Sequence, residues 1–178
     1  MPSSPDRSRA ALLLTNRLVP LGAKPLAARE FWQLVERVDP ADLLHDDAAT
    51  IAERAGVDAA EAARYRTLLD AATAMSFEQE RLADGGVSLV SALDESFPAR
   101  LRDRLGDGCP PFLLTAGPVD WLEGPSLGVV GSRDADQPAL DLARRAGEVA
   151  VRHGWSVVSG LARGADHVLR RQTPKLTA

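Results

Sequence analysis

Apolar residues are spaced as in helices up to about residue 85 of this chain, and as in strands after it. The first part is rich in alanine, leucine and charged residues, and no run in it is typical of a strand. Its spacing predicts helices over 9–18, 25–38, 48–55 and 58–83. Asp58 suits the N-cap of the last helix, with Glu61 at the spacing of a capping box. We therefore expect a small helical domain over residues 1–85.

Short apolar runs follow, at 87–93, 111–117, 126–132 and 155–160, each ended by glycine, proline or an acidic residue. A helical pattern over 137–153 separates the last two, with Pro138 near its start and Gly154 just past its end. Strand, helix and strand in this order predict a parallel α/β unit with a right-handed crossover. The fold class expected is thus α/β, an N-terminal helical domain followed by a partial Rossmann-like parallel sheet over 86–178. Trp121 and Trp155 adjoin strands and are expected in the core.

The overall composition excludes some classes of protein. The chain has 178 residues and a net charge of −4, with one cysteine, which cannot form an internal disulfide. No apolar run approaches the roughly 20 residues that span a bilayer, and we expect a cytoplasmic protein without a metal site. From Ser126 onward eight basic residues stand against five acidic ones, so a local basic surface is expected on an acidic protein.

Two glycine-containing turns follow the last two strands. The turns are "VVGSRD", 129–134, and "VVSGLARG", 157–164. Neighbouring parallel strands end at one edge of a sheet, where glycine lets a phosphate approach the backbone and a helix N-terminus favours an anion. The candidate phosphate-binding or DNA-binding residues are therefore Gly131, Ser132, Arg133, Ser159, Gly160, Arg163 and Gly164.

Each turn taken alone is equally compatible with a purely structural role, since doubly wound folds use glycine to make such turns. The dinucleotide fingerprint G-x-G-x-x-G and the Walker lysine motif are absent from the sequence. Asp166 suits an N-cap, and no nucleophile and base accompany it, so no catalytic residue is predicted. His153 is expected to bond free carbonyls at a helix C-terminus.

Taken together, "GVSLVSALDESFPARLRDRLGDGCPPFLLTAG", "LGVVGSRDA" and "WSVVSGLARGAD" resemble the DNA-processing protein A family, known as DprA or Smf. The resemblance runs from Gly86 to about Asp166 and rests on the order and spacing of the motifs. They are Asp94 with Phe97-Pro98, then Pro110-Pro111, the VGSR turn and the SGLARG-x-D turn.

The resemblance implies a Rossmann-like domain that binds single-stranded DNA without sequence preference and delivers it to the recombinase RecA, during natural transformation in the members studied. It implies a phosphate pocket that includes Ser132, Arg133, Ser159, Gly160 and Gly164. It implies neither an enzymatic activity nor a cofactor.

After Asp166 the sequence departs from the family and ends in "QTPKLTA". We expect a truncated Rossmann-like domain, whose bare strand edge favours pairing with a second copy. Two other functions stay open. One is a nucleotide-binding or nucleotide-hydrolysing Rossmann-like protein, such as the cytokinin-activating phosphoribohydrolases, although their Gly-Gly-x-Gly-Thr stretch is not found here. The other is an inactive remnant.

Overall fold

The computed structural model describes residues 4–20 and 22–160, which fall into two compact units. The first unit is Met1–Val119 and the second is Asp120–Ala178. Arg163, Gly164, Asp166 and the rest of the SGLARG-x-D turn beyond Gly160 lie outside the described residues.

The described residues contain helices and strands of ordinary length, and none of these helices is long and apolar enough to cross a membrane. The helices are α1 Ser4–Thr15, α2 Ala28–Val35, α3 Ala48–Ala55, α4 Ala59–Leu69, α5 Ala72–Asp84, α6 Ala99–Leu105 and α7 Gln137–Arg152. The strands are β1 Ser88–Ser91, β2 Phe112–Thr115, β3 Ser126–Val129 and β4 Ser156–Ser159.

The first unit is built on an apolar core that the early helices share with the first two strands. Leu13, Phe31 and Leu68 are fully buried in this core, and so is Cys109. The core also includes Val90 of β1. Strands β1 and β2 pair antiparallel, with Ser88 opposite Thr115 and Ser91 opposite Phe112. This pair therefore folds as part of the helical unit.

Trp32 on α2 ties the helices to the segment before β2. Its indole N–H donates to the carbonyl of Cys109 at 2.7 Å. The Arg102 guanidinium lies 3.7 Å from the centre of the Trp32 ring, a cation–π contact. The Cys109 thiol is buried and its pKa is raised by that burial. The Trp32–Cys109 hydrogen bond joins residues that are 77 positions apart in the chain.

Helix prediction succeeded where capping signals were local. The helix predicted over 48–55 is confirmed, and it ends at Gly56, whose φ of 63° is left-handed. Asp58 caps α4 as predicted, accepting from the Glu61 N–H at 2.8 Å. The Glu61 carboxylate accepts from the Tyr65 hydroxyl.

The prediction of a single helix over 58–83 is wrong, because the helix is interrupted between α4 and α5. Ala71, at the break, has φ −80° and ψ 15°, and its N–H donates to the Leu68 carbonyl as in a tighter turn. No glycine or proline marks the break. The sequence therefore contains no local signal for it.

The second unit contains one βαβ element. Strands β3 and β4 are parallel, and α7 connects them. Asp136 caps α7, accepting from the Ala139 N–H at 3.1 Å, and Pro138 lies in the first turn. Small side chains and a glycine form the buried side of α7, namely Ala143, Gly147 and Ala150.

The predicted fold class, α/β with N-terminal helices and a partial Rossmann-like parallel sheet, is confirmed. Strands β1 and β2 pair antiparallel, unlike β3 and β4, and the short helix α6 lies in the connection between them. The predicted domain boundary between residues 85 and 86 stays a prediction. In the structure, the boundary between the two compact units follows Val119.

Two expectations about burial in the second unit are wrong. Trp121 and Trp155 are 49% and 44% exposed, although both were expected in the core. Val151 on α7 is also exposed. The described part of the unit has a single helix against two strands, so apolar side chains next to the sheet are not all covered within it.

Candidate nucleic-acid interface

The register of the parallel strands brings the two predicted turns to one edge of the sheet. Val129 at the end of β3 is the partner of Ser159 at the end of β4. The chain leaves β3 at residue 130 and β4 at residue 160, side by side. Gly131, Ser132 and Arg133 therefore start from the same carboxyl edge as Gly160, which is where ligands bind in open α/β sheets.

A seven-residue loop, 130–136, separates β3 from α7. Gly131, Ser132 and Arg133 are all exposed in this loop. The Ser132 hydroxyl oxygen accepts from the Asp134 N–H at 3.1 Å, which closes a small turn. The hydroxyl proton of Ser132 remains available as a donor to a ligand.

Arg133 is a cation without an ion-pair partner among the described residues. Arg144 on α7 is instead paired with Asp141 at 2.7 Å. An exposed guanidinium with no internal partner can bind a phosphate without first breaking a salt bridge. In the second turn, Ser159 is half-buried and Gly160 is exposed.

The amino end of α7 is not the open anion site that the turn pattern predicts. The Asp136 carboxylate already accepts a hydrogen bond from the Ala139 N–H, and Pro138 has no N–H to donate. At most the Gln137 amide is left in the first turn, beside a carboxylate. The expectation that the first amides of this helix are free is wrong, because the helix provides its own anionic cap. Groups that donate hydrogen bonds to a phosphate on this side must therefore come from the loop.

A groove of about 590 Å³ runs beside the loop, between β3 and α7. Alanines line its α7 side, and Val130 and Leu142, which are 98% and 69% exposed, also line it. Ser132, Asp134 and Asp136 form its polar end. The groove was not predicted from the sequence, because Val130 was assigned to a strand and Leu142 only to the helix over 137–153. The available signal for the groove was the pair of exposed apolar residues Val130 and Leu142, one at the end of a strand and the other near the start of a helix.

Positive and negative side chains are balanced in the described part of the second unit from residue 126 onward. Residues 126–160 contain four basic and four acidic side chains, so the basic excess lies in 161–178, outside the described residues. His153 behaves as predicted, since it ends α7 and its Nδ1 lies 2.8 Å from the Val149 carbonyl oxygen. No cluster of three His, Cys, Asp or Glu able to hold a metal occurs in the part of the chain that the structure describes.

The comparisons with known proteins agree with the motifs. The family model of DNA recombination-mediator protein A matches residues 88–176, half of the chain. The match spans β1 to β4 and includes both turns. No individual curated protein matches the chain.

Proposed function

Because the chain belongs to the DNA recombination-mediator protein A family, we propose that it binds single-stranded DNA through phosphate contacts at the carboxyl edge of β3 and β4. The observation that carries this proposal is the register of Val129 with Ser159, which starts both turns at one edge. The exposed loop from Gly131 to Arg133 supplies backbone amides, a hydroxyl and a cation there. Such groups contact any strand alike, because phosphates carry no sequence information.

The described groups are suited to binding rather than to a reaction. The exposed groups of the two turns include the Ser132 hydroxyl and the Arg133 guanidinium, a hydrogen-bond donor and a cation that suit a phosphate. We propose a non-enzymatic, cytoplasmic protein that needs no cofactor and delivers the bound strand to RecA in recombination, including during DNA uptake. Arg163 and Gly164 complete the site in this proposal. A second copy pairing along the exposed sheet edge is the assembly we propose.

A second candidate function is the binding of a free nucleotide. The observation that favours it is the groove of about 590 Å³ next to the Ser132 turn, a volume within the range of small-molecule pockets. In that case a single phosphate would occupy the loop, and the nucleoside would lie in the groove.

The test is fluorescence anisotropy of a labelled oligo-dT with the purified chain and with Arg133→Ala. We expect the substitution to weaken binding about three- to tenfold, as loss of one charge-assisted phosphate contact does. Arg152→Ala is the matched control, because Arg152 is also exposed but lies at the other end of α7, about 22 Å along the helix axis.

The outcomes separate the two candidate functions. Binding of oligo-dT that falls for Arg133→Ala and not for Arg152→Ala supports the DNA function. Displacement of the oligonucleotide by a micromolar mononucleotide supports the nucleotide function. A folded chain that binds no oligonucleotide contradicts the DNA function, with circular dichroism reporting the fold.

A further inference from the structure

The groove between β3 and α7 is lined mainly by apolar residues. Ala139, Ala143 and Ala146 line it along α7, and their short side chains leave space above the helix. Val130 and Leu142 add large apolar surfaces, and both are largely exposed. A ring system placed there would cover apolar surface that water now contacts, at a gain proportional to the area covered.

The end of the groove nearest the loop accepts hydrogen bonds. The Asp134 carboxylate has no hydrogen bond or ion pair among the described residues. Asp136 uses one carboxylate oxygen for the helix cap. An ionised carboxylate can only accept hydrogen bonds, so this end favours a ligand edge that presents N–H groups and disfavours one that presents carbonyls.

The groove is also continuous with the proposed phosphate loop. Ser132 lines it, and Ser132 is a neighbour of Arg133. A nucleotide whose phosphate contacts the loop could therefore place its base in the groove without a second binding surface. Proteins that hold an unstacked base commonly place it between apolar side chains and bond its Watson–Crick edge.

We propose that this groove holds one base of the bound strand and that Asp134 makes it select bases with N–H donors, guanine above all. The proposal rests on the proposed DNA-binding function and adds a base preference to it. Guanine presents an imino N–H and an amino group side by side, which match the two oxygens of one carboxylate. Thymine presents one N–H between two carbonyl oxygens, and these oxygens face the Asp134 carboxylate unfavourably.

The experiment compares three short labelled oligonucleotides with the full chain. Each is an oligo-dT in which the base at one central position is thymine, guanine or hypoxanthine. Hypoxanthine keeps the imino N–H of guanine and lacks its amino group. We expect the guanine oligonucleotide to bind about fivefold more tightly than the thymine one, with hypoxanthine between them, as for discrimination by a bidentate contact at an exposed site.

Two variants assign the preference to the groove. Asp134→Asn removes the charge of an exposed side chain and should reduce the guanine-to-thymine ratio to about one. Asp141→Asn is its control, because Asp141 is an α7 carboxylate that pairs with Arg144 and does not line the groove. Both changes remove a negative charge and should strengthen binding of all strands slightly. The guanine-to-thymine affinity ratio is insensitive to this general effect, so a change in the ratio reports recognition of the base.

A third variant tests whether a base enters the groove at all. Leu142→Ser should weaken binding of oligo-dT but not of an abasic strand of the same length. Val149→Ser is the control, an exposed valine of α7 outside the groove. Excess dGMP distinguishes a free nucleotide from a strand as the source of the base.

Equal binding of the three oligonucleotides would overturn the base preference and leave DNA binding intact. A guanine preference that survives Asp134→Asn would overturn the assignment to this groove. Failure of a folded chain to bind every oligonucleotide would overturn the DNA-binding function and this inference with it. The proposal is supported if the guanine-to-thymine affinity ratio falls to about one for Asp134→Asn and is unchanged for Asp141→Asn.

Discussion

At the scale of single residues, Tyr65 shows how burial changes chemistry in the helical unit. It is the one tyrosine of the chain, and it is 3% exposed. Its hydroxyl donates to the Glu61 carboxylate at 3.2 Å. Removal of the phenol from water, together with the Glu61 charge, raises the pKa of Tyr65 to about 12 from its ordinary 10.0.

This pKa predicts how stability depends on pH in alkali. The folded chain holds the phenol proton more tightly than the unfolded chain does. The stabilisation from Tyr65 is therefore complete below pH 10 and lost as pH rises from about 10 to 12. Absorbance at 295 nm follows this one phenol, and we expect its midpoint near 12.

Tyr65→Phe is the control for that titration. The free energy of unfolding of this variant should change less between pH 10 and 12 than that of the parent chain. A phenol midpoint near 10 in a chain that circular dichroism shows to be folded would contradict the assignment of a buried, hydrogen-bonded Tyr65.

Other residue roles could not be predicted from sequence, because they depend on contacts between distant positions. Trp32 was not singled out, and its partners lie far along the chain, Arg102 on α6 and Cys109 just before β2. From the sequence, Cys109 was considered only as a cysteine that cannot form an internal disulfide. It is in a loop, but it is fully buried, and its carbonyl is the acceptor that fixes the Trp32 ring.

At the scale of elements, the cap of α7 links stability to the binding edge. Asp136→Ala removes the side-chain acceptor for the Ala139 N–H, and we expect the free energy of unfolding to fall by about 1 kcal/mol. Asp136→Ser keeps an acceptor without the charge and should leave stability nearly unchanged.

Both Asp136 variants should also bind oligo-dT more tightly, about two- to threefold, because a negative charge leaves the helix N-terminus next to the phosphate loop. Chemical denaturation and anisotropy measure the two effects separately. Equal stability of Asp136→Ala and the parent chain would show that this cap contributes nothing. Unchanged affinity in both variants would show that phosphate binds away from this helix end.

Local patterns predicted the elements better than their pairing. The four apolar runs each contain one strand, and the pattern over 137–153 matches α7 to within one residue. The parallel pairing of β3 and β4 was predicted from the helix between them. The antiparallel pairing of β1 and β2 was not, because the connection between those strands contains no extended periodic segment that would show their relative direction.

At the scale of the whole molecule, the family match and the compact units do not divide the chain at the same place. The match begins at residue 88, whereas the first unit extends to Val119. Burial of Val90 and Phe97 in the helical core is the physical reason, since the β1–β2 pair has too few residues to form a core alone. The motifs identified the family, but only tertiary packing assigned β1 and β2 to the first unit.

The candidate site was predicted in part for the same reason. The strand register starts the loop of Gly131, Ser132 and Arg133 at the same sheet edge as Gly160. The groove and the occupied amino end of α7 depend on side-chain positions and could not be predicted from motif spacing. The binding roles of all seven candidate residues stay predictions.

The central claim is that Arg133 neutralises a phosphate at the carboxyl edge of β3 and β4. The most direct measurement is the salt dependence of oligo-dT affinity for the parent chain, Arg133→Ala and Arg152→Ala. Loss of one phosphate contact should reduce the slope of log affinity against log salt by about 0.7 for Arg133→Ala, and by much less for Arg152→Ala. Identical slopes for the parent chain and Arg133→Ala, with all three proteins folded, would contradict the claim.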